Sequence, residues 1–361
     1  MSRAPHSTPT QINIWQQNLN KSRVAQEDLI NSDIHKTYDI LALQEPYIDT
    51  YGNTKATRNW RVVYPSSHIS DPVPPRAVIL VNSKIDTNHW AQLYILGTRD
   101  LLAIQLTDEF GKLTIYDLYS DCHNSDTINW LGLHLNASTR GPRAAGTAHE
   151  IWCGDFNHHH PMWDEDCNHH LFTSRALEDA SKLLALVADH GMYMALPKGI
   201  PTLESMVTKN WTHPDNVFCS SNLIDKLVYF TTDLGLHGPS MDHVPIQTAL
   251  EFPLARVPDK MGHNFRAIDW EVFLKNLEAK LATIAGPAPI GSEDGFDEAV
   301  SELTEALQGT IRETVPWLRP SPHSKRWWST ELTALKKVKN KLSNESYKYQ
   351  ALTDHLVHED H

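Results

Sequence analysis

The 361-residue chain reads as an α/β protein followed by a helical tail, on three features of its sequence. Upstream of Pro253, short runs rich in Ile, Val, Leu and Tyr recur, each bounded by Asn, Asp, Gly or Pro, as strands between turns are. Helical stretches lie between some of them, the mixture from which one domain of packed sheets and helices is built. Downstream of Pro253 the apolar spacing changes to that of amphipathic helices.

In order, the strand-like runs are INIW (12–15), DILAL (39–43), AVILV (77–81), LLAIQL (101–106), KLTIYDLY (112–119), EIWCG (150–154) and LIDKLVYF (223–230). A helix is expected over 174–190, with Ser174 as N-cap, Leu177, Leu184 and Val187 on one face, and Gly191 closing the end. In the tail, Trp270, Phe273, Leu274, Leu277, Leu281 and Ile284 follow the helical period, and Phe296, Val300, Leu303, Leu307 and Ile311 repeat it. A Pro-rich break at 316–322 precedes a third helix expected from near Ser329. That segment is basic: residues 319–348 hold eight Lys/Arg and two Glu. The sequence thus divides into residues 1–253, an acidic α/β unit, and residues 254–361, a helical tail.

Composition narrows the class. A hydrophobic content of 40% with 21% charged residues is that of a globular chain, and no run of 18 apolar residues suggests a membrane span. The start, MSRAPHSTPTQ, has no apolar stretch of a signal peptide, and four cysteines without a CxxC pair fit a reducing, intracellular setting. Net charge is −12, and residues 1–253 carry 18 basic against 28 acidic side chains.

Chemistry-bearing residues cluster just after apolar strands. They are Asn18 in INIWQQNLN, Gln44-Glu45 in LALQEP, Tyr119 in TIYDLYSD, Asp155 and Asn157 in IWCGDFN, and Asp242-His243 in SMDHVPI; Asp225 lies in NLIDKLVYF. Strand ends are where an α/β fold gathers a site. A buried Glu45 costs several kcal/mol unless paired or metal-bound, and grouped carboxylates repel unless a divalent ion joins them. An all-oxygen set of this kind favours Mg²⁺ or Mn²⁺ over zinc.

This ordered series, with Gly-Asp-Phe-Asn at 154–157 and Asp-His-x-Pro-Ile at 242–246, resembles the endonuclease/exonuclease/phosphatase superfamily over roughly residues 11–250. GDFNHHHPMWD (154–164) is similar to the corresponding run in the apurinic-type endonucleases of LINE-like, non-LTR retrotransposons, and the tail to the segment joining such a domain to a reverse transcriptase. The resemblance implies a four-layer sandwich, two facing sheets flanked by helices. It implies a Mg²⁺- or Mn²⁺-dependent endonuclease that nicks DNA to leave a 3′-hydroxyl, acting in the nucleus as a monomer, beside a reverse transcriptase supplied elsewhere.

Carried onto this chain, Glu45 binds the metal directly, with Asn18 nearby to hold Glu45 or a phosphate oxygen, and Asp242 is a further direct or water-mediated ligand. Asp155 activates water, Asn157 positions it, His243 held by Asp225 donates to the phosphate, and Tyr119 bonds the scissile group. Met241 stands where relatives have a small Ser, and Asn20 where some carry an acid. Rival readings are another phosphodiesterase or phosphatase of the same fold, and a catalytically silent remnant. A zinc site in the histidine run 158–160 is disfavoured, because adjacent residues of an extended segment point to opposite faces. The KKVK run at 336–339 reads as a solvated helix face, with a short basic nuclear-import pattern as the alternative, and Trp327-Trp328 as helix-docking surface, with base stacking as the alternative; Arg58, Arg61, Arg76, Arg140 and Arg143 are candidates to line a groove.

Overall fold

A strand turns alternate side chains to opposite faces, and most central strands of this chain are apolar on both. Such strands need cover on two sides. The computed structural model describes residues 11–95, 97–139, 148–206, 208–236, 238–239, 241–254, 256, 263–284, 292–317, 330–349 and 356. Contacts divide the chain into two compact units, residues 1–257 with 334–361, and residues 258–333. The basic helix that the sequence groups with the tail therefore clusters with the α/β unit.

The first unit opens with β1 (Ile12–Asn18), α1 (Arg23–Asn31), β2 (Ile40–Gln44), β3 (Trp60–Val63), β4 (Ala77–Asn82) and β5 (Trp90–Leu93). It continues through β6 (Leu101–Asp108), β7 (Gly111–Tyr119), α2 (Asp126–Thr139), β8 (Ala148–Asp155), α3 (Ser174–Asp189) and β9 (Met192–Met194). Then come β10 (Leu203–Glu204), β11 (Trp211–Thr212), β12 (Asp215–Ser220), α4 (Ser221–Ile224), β13 (Leu227–Thr232) and β14 (Ile246–Leu250). Three longer helices follow: α5 (Trp270–Leu281), α6 (Glu293–Thr314) and α7 (Thr330–Lys348).

Two six-stranded sheets result, ordered β13-β14-β1-β2-β4-β3 and β5-β6-β7-β8-β12-β9, with β10-β11 as a separate hairpin. Both are mixed, since β1 pairs parallel with β2 and β7 with β8. Ile12, Ile14, Ile40, Ala42 and Ile79 of the first sheet meet Leu102, Ile104, Leu113, Ile115, Ile151 and Val217 of the second. On the outer face of the first sheet, Trp15, Leu41, Leu43, Val78 and Leu80 pack on Ala25, Leu29 and Ile30 of α1. On the outer face of the second, Leu101, Tyr116, Leu118, Trp152 and Phe218 pack on Ile128, Leu131 and Leu135 of α2 and Ala180, Leu183 and Val187 of α3. Helix, sheet, sheet and helices give the four layers that the resemblance implies.

Local chemistry corrects two details. Thr173, not Ser174, caps α3, its side chain accepting from Ala176 N, and Leu183 rather than Leu184 joins the buried face. The run LIDKLVYF is not one strand: Leu223 belongs to α4, Asp225 is its C-cap, and extended backbone resumes at Leu227. In the second unit, Lys280 pairs with Glu313 at 2.7 Å across α5 and α6, and Asn276 bonds the same carboxylate. Phe273 and Ala306 are buried there, while Trp270, Leu274, Phe296, Val300, Leu303 and Leu307 stay exposed. Among the described residues no helix is long and apolar enough to cross a membrane.

Between the sheets Asp117 is wholly buried and bonded by the Gln44 amide. Burial raises its pKa to about 8, against the partial relief of that hydrogen bond and of nearby backbone N–H groups. Between about pH 4, where an unfolded Asp titrates, and the folded value, the unfolded chain loses a proton that the native one keeps. Asp117 therefore lowers stability as pH rises through that window, by at most about 1.4 kcal/mol per pH unit. Denaturant unfolding of Asp117→Asn and wild type across pH 4 to 8 should show a difference that grows in favour of the variant; a pH-independent difference contradicts a neutral Asp117.

Candidate active site

The inner faces of the sandwich change character along their length. Ile12 and Ile14 give way to Gln16 and Asn18 on β1, Ile40 and Ala42 to Gln44 on β2, Leu113 and Ile115 to Asp117 and Tyr119 on β7, and Ile151 and Cys153 to Asp155 on β8. Strand pairing then sets these polar residues level. Asn18 lies opposite Gln44, Tyr119 opposite Asp155, and Asp155 opposite Asp215, the first residue of β12. Gly154 is required for the parallel β7–β8 contact, because a Cβ there would lie 2.4 Å from the Leu118 carbonyl oxygen.

Polar bonds join the two sheets at this end. Gln16 Nε2 donates to the Gly154 carbonyl at 2.9 Å, and Asn18 Nδ2 to Asp155 Oδ2 at 2.8 Å. The Asp155 carboxylate also accepts from the backbone N–H of Asn157 at 3.0 Å and from its Nδ2 at 3.1 Å. His243, on the connection into β14, holds Asp215 Oδ2 through Nδ1 at 2.8 Å and turns Nε2 toward Asp155 Oδ2, 4.0 Å away. Gln17 Nε2 donates to the His243 carbonyl at 3.0 Å and fixes that connection to β1.

Around this centre, Lys21 Nζ lies 2.9 Å from Glu45 Oε1, and Asn20 Nδ2 reaches Asp242 Oδ2 at 3.4 Å. Asn20, Lys21, Glu45 and Asn157 all have positive φ. Asn tolerates that backbone region; Lys and Glu do not readily, so the two loops that carry this ion pair hold strain at the site. Arg76 stacks 4.7 Å over the Tyr119 ring and is held by both Asp100 oxygens at 2.7 Å and by Asp121 at 2.6 Å.

Charge is concentrated in little solvent. Burial and the neighbouring Asp215 push the Asp155 carboxyl well up, against the relief from His243 and Asn18. Burial alone depresses the His243 imidazole, but Asp215, Asp155 and Asp242 outweigh it and leave its pKa raised. Tyr119 is raised by burial and by the charges of Glu45 and Asp155, so its hydroxyl keeps its proton. One oxygen each of Asp215 and Asp242 is buried without a hydrogen-bond partner.

Of the residues singled out in the sequence, Asn18, Asp155, Asn157 and His243 come together, with Glu45, Asp242 and Tyr119 around them. Asp225 does not join them: it is exposed at the end of α4, and the carboxylate that meets His243 is Asp215. The signal missed was DNVFCS (215–220), an alternating strand whose inner face is Asp215, Val217 and Cys219. Met241 is buried beneath the loop, in the cluster that includes Ala25 of α1. The histidine run serves its own loop: Trp163 Nε1 donates to the His158 carbonyl, and Asp164 accepts from the His160 N–H and pairs with His159. Arg61 donates to the Ile85 carbonyl, whereas Arg140, Arg143 and Trp327-Trp328 lie outside the described residues.

The family described as endonuclease-reverse transcriptase matches residues 113–247, the stretch that carries Tyr119, Asp155, Asn157, Asp215 and Asp242-His243. Over that stretch the chain is similar to the endonuclease/exonuclease/phosphatase superfamily. The endonuclease domain of TRAS1, a telomere-specific non-LTR retrotransposon, is 18% identical, with a TM-score of 0.52 over 67% of this chain and 99% of that one. The AP endonuclease LMAP from Leishmania major is 13% identical, with a TM-score of 0.53 over 68% and 89%. The catalytic domain of Xenopus laevis APE2 is 13% identical, with a TM-score of 0.50 over 69% and 94%. These likenesses are of fold. Among curated proteins no sequence matches.

If Asp215 sets the protonation of His243, imidazole ¹⁵N shifts in metal-free protein should show the ring doubly protonated beyond its ordinary pKa of about 6.5. Asp215→Asn should lower that titration, and Asp225→Asn should leave it in place. A shift caused by Asp225→Asn instead would return the pairing to Asp225.

Proposed function

We propose that the protein is a divalent-metal-dependent endonuclease that hydrolyses a phosphodiester bond of DNA and leaves a 3′-hydroxyl. The observation that carries this reading is the Asn18–Asp155 bond between the sheets, with the Asp215–His243 pair beside it, at the polar end of the sandwich. The match to the endonuclease-reverse transcriptase family and the likeness to a retrotransposon endonuclease and to AP endonucleases support it.

The donor set suits a hard cation. Asp242 has a buried oxygen without a partner, and Glu45 already attracts one positive charge, the Lys21 ammonium, whose side chain is 67% exposed and free to swing away. Glu45 and Asp242 would hold Mg²⁺ or Mn²⁺, which when bound supplies Lewis-acid stabilisation of the phosphate. Asn18 and Asn157 hold the Asp155 carboxylate in one orientation, and its raised pKa suits it to take a proton from the attacking water near neutral pH. Asp215 fixes the His243 ring so that its Nε2–H faces the reaction centre and donates to the charge growing on the phosphate. Tyr119, kept protonated, donates to the same group. A 3′-hydroxyl left at a nick is a primer end, which fits supply to a reverse transcriptase in the nucleus.

Purified protein should relax supercoiled plasmid with Mg²⁺ and fail with EDTA. His243→Ala and Asp155→Asn should each lower the rate on the order of 100-fold or more, and a DNA polymerase should extend the nicks without prior end repair. Folded protein that leaves plasmid supercoiled with both Mg²⁺ and Mn²⁺ contradicts the assignment.

A further inference from the structure

The second feature of interest is α7, whose residues from Ala334 onward cluster with the α/β unit. Lys336 Nζ lies 2.7 Å from Asp28 Oδ2 on α1, the helix that follows the Asn18–Lys21 loop. Ser343, buried, donates to the Leu234 carbonyl at 3.2 Å. At Gly235 an added Cβ would lie 3.1 Å from Asn344 Nδ2 and 3.4 Å from Asn340 Cβ. Leu234–Leu236 is the turn that leads toward Asp242-His243. Lys339, half-buried on the same docking side, feels the charges of Asp28 and of Glu204, whose N–H donates to the Asp242 carbonyl at 2.8 Å. So α7 is seated against α1 and against the Leu234–Leu236 turn.

Its other side is basic. Lys337, Lys341 and Lys348 are exposed, and at about 100° per residue they fall within an arc of roughly 40°, spread over about 16 Å of helix. Glu345, 3.7 Å from Lys341, is the acid beside this stripe. Thr330–Lys348 holds five Lys and two Glu, whereas residues 1–253 carry ten more acids than bases. Near the reaction centre, Arg76 is already held by Asp100 and Asp121. The outer side of α7 is thus an exposed basic row on an otherwise acidic unit.

We propose that Lys337, Lys341 and Lys348 form a binding stripe for the phosphate backbone of duplex DNA beside the cleaved bond. The proposal rests on the endonuclease reading for the identity of its partner. Each backbone phosphate neutralised by a lysine releases counterions and steepens the salt dependence by about 0.9 in log–log slope. The test is binding of the full chain to a short fluorescent duplex in EDTA, over a series of NaCl concentrations, for wild type and for Lys337→Gln/Lys341→Gln/Lys348→Gln. The variant should lose between about two and three units of slope and bind on the order of ten-fold or more weakly at low salt. Its Mg²⁺-dependent hydrolysis of bis(p-nitrophenyl) phosphate should match wild type. An unchanged slope, or wild type that binds no duplex, overturns the stripe. A stripe-dependent slope in a protein that never nicks plasmid keeps the stripe and removes the nuclease.

Discussion

The hydrogen bond from Asn18 to Asp155 is the constraint on which the site depends, because it crosses from one sheet to the other in a buried place. Each partner alone would leave a buried polar group without a partner, which costs more than the bond returns in water. The same demand recurs one layer deeper in Gln16 to Gly154 and Gln44 to Asp117. The two sheets therefore have one separation and one register at this end that satisfy all three bonds together. At the far end, Ile12, Ile14, Ile40, Leu113 and Ile115 hold them by packing, which is far less particular about position.

Electrostatics follow from that geometry. Asp155, Asp215 and Asp242 crowd one imidazole in a place that water barely reaches, and the imidazole answers by holding its proton. Glu45, on the neighbouring loop, borrows the Lys21 ammonium. The negative charge of the cluster exceeds what these two cations offset, which is the physical reason a divalent ion suits it. Left-handed backbone at Lys21 and Glu45 is the local cost of bringing the two side chains together, and the anchored strands β1 and β2 make that conformation persist.

The reading of Asp225 as the partner of His243 shows where local pattern fails. LIDKLVYF has the composition of a strand, and a strand there would have turned Asp225 inward. The four residues Ser221–Ile224 instead form a helical turn after β12, which leaves Asp225 in solvent. Asp215 escaped notice because its strand has few β-branched residues, and its polar first residue looks like part of the preceding turn. What makes it inward-facing is pairing with β8, 60 residues away in sequence, through the Asp155–Asp215 register.

By itself the sequence determined the α/β class, the switch to helices after Pro253, and most of the residues that the structure brings together around Asp155, because strand-terminal Asn, Glu, Asp and His in that order are a local signal. Tertiary structure decided which carboxylate meets His243, that Arg76 serves Asp100 and Asp121 rather than an open groove, and that Met241 packs beneath its loop. It also decided that α7 sits with the α/β unit. Each of these is settled by which distant segment lies alongside, and that depends on sheet register and helix docking, neither of which is written in neighbouring residues.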